Sequence, residues 1–147
     1  MTCARGLAVL TLLAAAGCLP SHPPAPEEEA LERFEEAEAH YAAGRMAEAA
    51  EGYEFVISRR PRWKEAYVKL ARCREVTGRE EDAASVWERL LAGDRFDEDA
   101  LRSLGRLYAR LGSTDRAIER YRRLRELRPS DRSLDGEIAR LEAMRKP

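Results

Sequence analysis

The fold of this chain is decided by residues 104–129, which read LGRLYARLGSTDRAIERYRRLRELRP. The stretch places two segments rich in helix-forming residues on either side of Gly112. Residues 36–61 and 70–95 carry the same pattern, displaced each time by 34 residues and without a gap. A fixed period of this kind indicates stacked copies of one structural unit.

Six columns of the repeat hold a recurring type of residue, five of them in all three copies and proline in the first and third copies, with Arg95 between. They are a small residue (Ala37, Ala71, Gly105), glycine (Gly44, Gly78, Gly112), alanine (Ala49, Ala83, Ala117), an aromatic (Tyr53, Trp87, Tyr121), an aliphatic (Val56, Leu90, Leu124) and proline (Pro61, Pro129). Small residues let two helices approach closely, and glycine suits the left-handed conformation that ends a helix. Proline ends the second helix because it cannot continue the hydrogen-bond ladder.

These columns predict three pairs of helices. We place the pairs at 30–43 and 46–60, at 64–77 and 80–93, and at 98–111 and 114–128. A seventh helix is predicted over 132–145, where Leu134, Ile138 and Leu141 form one apolar stripe opposite a charged face. Such a helix suits the capping of a stack of repeats.

The columns resemble the tetratricopeptide repeat (TPR) family over residues 30–131, in the repeats 30–63, 64–97 and 98–131. The resemblance implies an all-α, right-handed α-α superhelix (solenoid) of three helix hairpins, within a domain of residues 30–147 that ends in a capping helix. A long antiparallel coiled coil is the alternative. It requires an unbroken apolar heptad repeat, which the recurring glycines interrupt.

The N-terminal segment resembles an export signal. Residues 7–16 are apolar except for Thr11, follow Arg5, and are too few for a membrane span of about 20 residues. The small residues before Cys18 resemble a bacterial lipobox. This implies a signal peptide of residues 1–17, lipidation of Cys18 and, with Leu19 next, sorting to the outer membrane facing the periplasm. A conventional secretory signal and an uncleaved anchor or mis-set start codon are the alternatives.

Residues 18–29 follow as a proline-rich tether that holds the folded part away from the membrane.

Charge and composition point away from nucleic acid and from catalysis. The net charge is −1, which gives no electrostatic reason to expect nucleic acid as a partner. His22 and His40 lack further ligands at metal-binding spacing, and no nucleophile or phosphate-binding motif occurs. We therefore predict no enzyme activity, no cofactor and no metal. Cys73 lies among apolar neighbours and is predicted to be a packed core thiol.

The TPR resemblance implies that the first helix of each pair lines a concave groove for a protein or peptide partner. Carried over by phase, Phe34 and Tyr41 are candidate aromatic anchors, and Arg72 is a candidate basic contact. Arg102, Arg106 and Arg110 stand at i, i+4 and i+8, so they form one stripe able to take acidic or C-terminal carboxylates. The residues with which co-chaperones of this family clamp a peptide carboxylate are absent here.

These features favour a non-enzymatic adaptor, lipid-anchored in the bacterial envelope, that supports assembly of an envelope complex. Two alternatives stay open. The first is a self-associating structural subunit, because residues 27–56 hold ten acids and two bases whereas residues 98–147 hold nine acids and thirteen bases. The second is a soluble peptide-binding domain without a lipid anchor.

Overall fold

The computed structural model describes residues 26–145, and these form seven α-helices and no strand. The helices are α1 (Pro26–Ala42), α2 (Met46–Arg59), α3 (Lys64–Val76), α4 (Glu80–Gly93), α5 (Glu98–Arg110), α6 (Thr114–Leu127) and α7 (Ser133–Arg145). Within residues 26–145, no helix combines the length and the apolarity that a membrane span requires.

Each helix packs mainly on the helices next to it in sequence, from α1 on α2 through to α6 on α7. Contacts restricted to neighbouring elements are the signature of a solenoid, in which every repeat covers the apolar surface of the next. The predicted fold class, an α-α superhelix of three hairpins followed by a C-terminal helix, is confirmed.

Glycine ends the first helix of every pair, as predicted. Gly44, Gly78 and Gly112 have φ angles of 75°, 73° and 72°. After α1, the Gly44 N–H donates to the Tyr41 carbonyl at 3.0 Å and the Arg45 N–H to the His40 carbonyl at 2.9 Å. This pair of backbone hydrogen bonds is a Schellman motif, and α3 and α5 end in the same way. The period of 34 residues is therefore a period of helix-terminating turns.

The start of α1 differs from the prediction. The helix begins at Pro26, so it takes the last four residues of the predicted tether. Proline suits the first helical position because its missing N–H would have no intrahelical partner there, and Glu27, Glu28 and Glu29 complement the positive end of the helix dipole. The predicted signal peptide, Cys18 and the remaining tether lie outside the described residues.

The core is built from the predicted columns. Ala49, Ala83 and Ala117 are fully buried, and the aromatic column Tyr53, Trp87 and Tyr121 is at most 5% exposed. Cys73 is also buried, as predicted, and burial raises the pKa of its thiol.

Helix α7 continues the repeat. Its buried residues Leu134, Ile138 and Leu141 confirm the predicted apolar stripe. They also follow Ala100, Leu104 and Leu107 of α5 by one full period, and those three residues are buried as well. By register, α7 is therefore the first helix of a fourth repeat.

Candidate functional site

The first helices of the pairs share one face of the solenoid. Lys69 Nζ of α3 lies 2.7 Å from Glu38 Oε2 of α1. Lys64 Nζ of α3 lies 2.7 Å from Asp99 Oδ2 of α5. Helices α5 and α7 flank a common cavity. We call the face formed by α1, α3, α5 and α7 the inner face, and the face formed by α2, α4 and α6 the outer face.

The two predicted aromatic anchors already have partners inside the protein. Phe34 is half-buried, its ring stacking on Trp63 at 4.5 Å between centroids and meeting Tyr53 edge-on at 5.7 Å. Tyr41 is half-buried too, with Lys69 Nζ 5.1 Å from its ring centroid. Much of their aromatic surface therefore stabilises the first hairpin and its junction with α3. Their role as anchors for a partner stays a prediction.

The predicted arginine stripe of α5 divides into engaged and unengaged side chains. Arg102 pairs with Asp131 at 2.9 Å. Arg110 reaches back to the second repeat, where it pairs with Glu75 at 3.3 Å and Glu80 at 2.9 Å. Arg106, between them, is exposed and forms no ion pair with any residue from 26 to 145. Only the middle arginine of the stripe thus keeps an uncommitted guanidinium.

Arg106 belongs to a second row of arginines, which runs across the helices. Arg72 of α3 precedes it by one period, and Arg140 of α7 follows it by one period. Arg72 is exposed and, like Arg106, has no ion pair within the described chain. Arg140 pairs with Glu137, one turn earlier on its own helix. Arg140 was not predicted as a site residue, although extending the 34-residue period beyond residue 131 would have placed it in this row.

The first repeat holds an acid at the same register. Tyr53 Oη donates a hydrogen bond to Glu38 Oε1, while Lys69 Nζ donates to Oε2. Partial burial pushes the pKa of Glu38 upward, but the bonds from Lys69 and Tyr53 together outweigh it and hold that pKa below 4.5. The second repeat has Trp87 and Arg72 at these positions, and both can only donate. The buried Trp87 indole N–H has no hydrogen-bond partner in the described chain.

A cavity of about 500 Å³ lies between α5 and α7, and we call it the α5–α7 pocket. It brings all three arginines of the predicted stripe together with Arg140. Its lining is formed by Arg102, Arg106, Ala109, Arg110, Tyr121, Ser133, Leu134, Glu137, Arg140, Leu141 and Met144. Tyr121 comes from α6, and burial raises the pKa of its hydroxyl. Tyr121 and Met144 were not among the predicted site residues.

Between residues 26 and 145, no three His, Cys, Asp or Glu side chains are grouped so that they could hold a metal ion. The His40 Nδ1 atom accepts a hydrogen bond from Arg45 Nε at 2.9 Å. The predicted lack of enzyme activity stays a prediction.

Three solved structures illustrate the similarity of fold. The first TPR domain of Spaghetti (RPAP3), bound to the HSP90 peptide SRMEEVD, is 20% identical, with a TM-score of 0.65 over 80% of this chain and 93% of that chain. The Yersinia enterocolitica type III secretion chaperone SycD, in complex with a peptide of the translocator YopD, is 11% identical, with a TM-score of 0.67 over 79% and 94%. MamA is 20% identical, with a TM-score of 0.66 over 78% and 67%.

At these identities the structures show the fold alone, which is of the TPR type. No curated protein matches the sequence. One sequence family does match, the bacterial transcriptional activator domain (BTAD) family, and the match covers residues 15–144. It spans α1 to α6, all but the last residue of α7, and most of the chain. The protein therefore belongs to the bacterial transcriptional activator domain family.

Proposed function

We propose that this protein is a non-enzymatic protein-binding module whose inner face engages a partner. One observation carries the proposal. Arg72 and Arg106 occupy equivalent positions one repeat apart on the inner face, and both are exposed without an ion pair in the described chain. Structures of the same fold solved with bound peptides support this use of the fold.

Two arginines of the outer face are instead paired with acids of the preceding repeat. Arg89 pairs with Glu54 at 2.6 Å, and Arg120 pairs with Glu88 at 2.9 Å; both pairs join successive outer helices. Such pairs neutralise charge within the solenoid. An unpaired guanidinium on the inner face keeps its planar array of donors for a carboxylate of another molecule, which it can bind bidentately.

Affinity capture with the full chain tests this proposal. We expect Arg72→Gln combined with Arg106→Gln to lose the partner that the wild-type protein captures from a bacterial extract. The matched control combines Arg62→Gln with Arg132→Gln, which removes the same charge from two exposed arginines in turns, also without ion pairs in the described chain. Equal loss from both double variants, or no loss from the first, would remove the inner face from the proposal.

We also propose that the module is anchored to the outer membrane through Cys18 and supports assembly of an envelope complex. The apolar stretch of residues 7–16 and the small residues before Cys18 support this proposal. Two or more acyl chains are enough for stable anchoring. Cys18→Ala should release the protein from the membrane fraction, and the mass of the wild-type N-terminus should show acylation at Cys18. A Cys18→Ala variant that stays membrane-bound would contradict the anchor.

Family membership supports a second candidate, a binding module within a transcriptional activator. The two candidates predict different N-termini. An intact Met1 and an unmodified Cys18 thiol, in protein taken from the cytoplasm, would favour the transcriptional candidate. A chain that begins at an acylated Cys18 would favour the envelope candidate. The inner face serves protein binding in both.

Self-association has weaker support. The basic third repeat is partly neutralised within the molecule, because Arg110 pairs with Glu75 and Glu80, and Arg128 pairs with Glu98 at 2.6 Å. Fewer charges therefore remain for the acidic first repeat of a second copy. Oligomers that dissociate as salt is added, observed by light scattering, would restore this candidate.

A further inference from the structure

We infer that the α5–α7 pocket is a subsite for one carboxylate of a bound peptide, with an aliphatic side chain of that peptide next to it. The inference rests on the proposed function and names the chemistry that the inner face selects. It follows from the donors at the pocket, from its apolar base and from the way Tyr121 is held there.

Hydrogen-bond donors and positive charge dominate the pocket. Its lining includes four arginines and a single glutamate, Glu137, which is already paired with Arg140. Arg106 has no ion pair within the described chain, and the Tyr121 hydroxyl forms no hydrogen bond there. An arginine offers donors only, and a tyrosine hydroxyl can donate one hydrogen bond. Arg102, Arg110 and Arg140 are paired with acids, so the unmet donors of the pocket are those of Arg106 and Tyr121. A carboxylate would supply acceptors for both.

The base of the pocket is apolar. Leu134 and Leu141 of α7 are nearly fully buried below it, and Ala109 of α5 is half-buried beside it. Met144 stands at the last turn of α7 with 68% of its surface exposed. A methionine side chain is flexible and adapts to irregular apolar groups. The carboxylate therefore fits best in a peptide that also places an aliphatic side chain over this base.

Gly105 brings Tyr121 to the pocket. A Cβ at position 105 would lie 2.7 Å from Tyr121 Cζ, the ring carbon that carries the hydroxyl. The buried ring of Tyr121, a residue of α6, therefore lies against the backbone of α5. Because only glycine leaves that space, the hydroxyl of an α6 residue contributes to a pocket between two inner helices. The pocket volume of about 500 Å³ accommodates a few side chains.

Selection from randomised short peptides on the purified full chain tests the inference. We expect the enriched peptides to share an Asp or Glu next to Leu, Ile, Val or Met. The strongest of them is then synthesised with its acid and, separately, with the neutral isostere Gln or Asn. Binding of both peptides is measured by fluorescence polarisation to the wild-type protein and to Arg106→Gln, Tyr121→Phe and the control Arg62→Gln.

Arg106→Gln should weaken binding of the acidic peptide about tenfold, as expected for loss of a charge-assisted hydrogen bond. Tyr121→Phe, which keeps the ring against Gly105, should weaken it less, and Arg62→Gln should leave it unchanged. The neutral peptide should bind wild type and Arg106→Gln equally weakly. Thermal unfolding of each variant shows whether it remains folded.

Three results would overturn the inference. The first two are selection of peptides without acidic residues and no enrichment of any peptide. The third is a loss of binding free energy, for Arg106→Gln with the neutral peptide, equal to the sum of the losses caused by the protein change alone and by the peptide change alone. The proposed function is judged separately. If the wild-type protein still captures a partner that the Arg72→Gln, Arg106→Gln variant loses, protein binding stands and only the carboxylate subsite fails.

Discussion

The hydroxyl of Tyr53 in α2 donates a hydrogen bond to the carboxylate of Glu38 in α1. The other oxygen of that carboxylate accepts from Lys69 Nζ of α3 at 2.7 Å. One side chain thus joins the first hairpin to the second repeat at the inner face. Both oxygens of Glu38 are therefore used within the fold, whereas Arg72 and Arg106, at the same register in the next two repeats, form no ion pair in the described chain.

We predict that Glu38 contributes stability that depends on acid pH. Because its pKa is lower in the folded chain than its ordinary 4.5, the contribution is present above that value and is lost as the pH falls through the folded pKa. It should not exceed about 1 kcal/mol, since solvent screens a carboxylate that is one third exposed. Urea unfolding of wild type and Glu38→Gln should show the difference near neutral pH and its progressive loss as the pH falls below 4.5. A difference independent of pH would contradict the bond network.

Gly52 marks the closest approach of α1 and α2. A Cβ on Gly52 would lie 2.7 Å from Ala37 Cβ, so Gly52→Ala forces the two helix backbones apart. We expect a loss of roughly 1–3 kcal/mol in the free energy of unfolding. Gly136→Ala in α7 is the matched control, because nothing lies within 4 Å of its added Cβ. That variant should gain about 0.5–1 kcal/mol from the better helix propensity of alanine. Equal thermal midpoints for both variants would show that α1 and α2 do not approach closely at Gly52.

Asp97 caps α5, and its removal should destabilise the third repeat. Its Oδ1 accepts from the Ala100 N–H at 2.9 Å, and its Oδ2 lies 2.7 Å from Lys64 Nζ. Asp97→Ala should cost about 0.5–2 kcal/mol, the usual range for a lost N-cap. Asp99→Ala provides the comparison, since Asp99 is exposed and contacts the same lysine. Its cost should stay below about 1 kcal/mol. Chemical denaturation that ranks Asp99→Ala as the more damaging change would refute the cap.

Cys73 should resist thiol reagents in the folded protein. It is 1% exposed, so a reagent cannot reach its sulfur, and burial raises the pKa of its thiol, so little of the reactive thiolate is present. In a chain that carries Ser at positions 3 and 18, the rate of reaction with Ellman's reagent should be low and should rise steeply once denaturant unfolds the repeats. A fast reaction under native conditions would show that α3 is less tightly packed.

The repeat columns explain why most of the fold was predictable. Gly44, Gly78 and Gly112 occupy the left-handed turns, and α4 spans the predicted residues 80–93. These features depend on local sequence, because a glycine turn and a helix-rich segment require little from the rest of the chain. The start of α1 was placed too late, since proline at a first helical position and proline in a tether look alike in sequence.

The positions of the site residues were predictable from the sequence, but the ion pairs that these residues form were not. The period alone places Arg72 and Arg106 on inner helices. It does not reveal that Arg102 and Arg110 are engaged by Asp131, Glu75 and Glu80, because those acids lie in the adjoining repeats or turns. Their contacts depend on how the repeats are rotated against one another. The α5–α7 pocket depends in the same way on where α7 stacks.

Site-specific photo-crosslinking tests most directly whether the inner face binds the partner. A photoreactive residue is placed at position 72 of α3 or, as the control, at position 85 of α4, where Ser85 is exposed. We expect the captured partner to crosslink to position 72 and not to position 85. Crosslinking from position 85 alone would contradict this expectation, because the partner would then lie on the outer face.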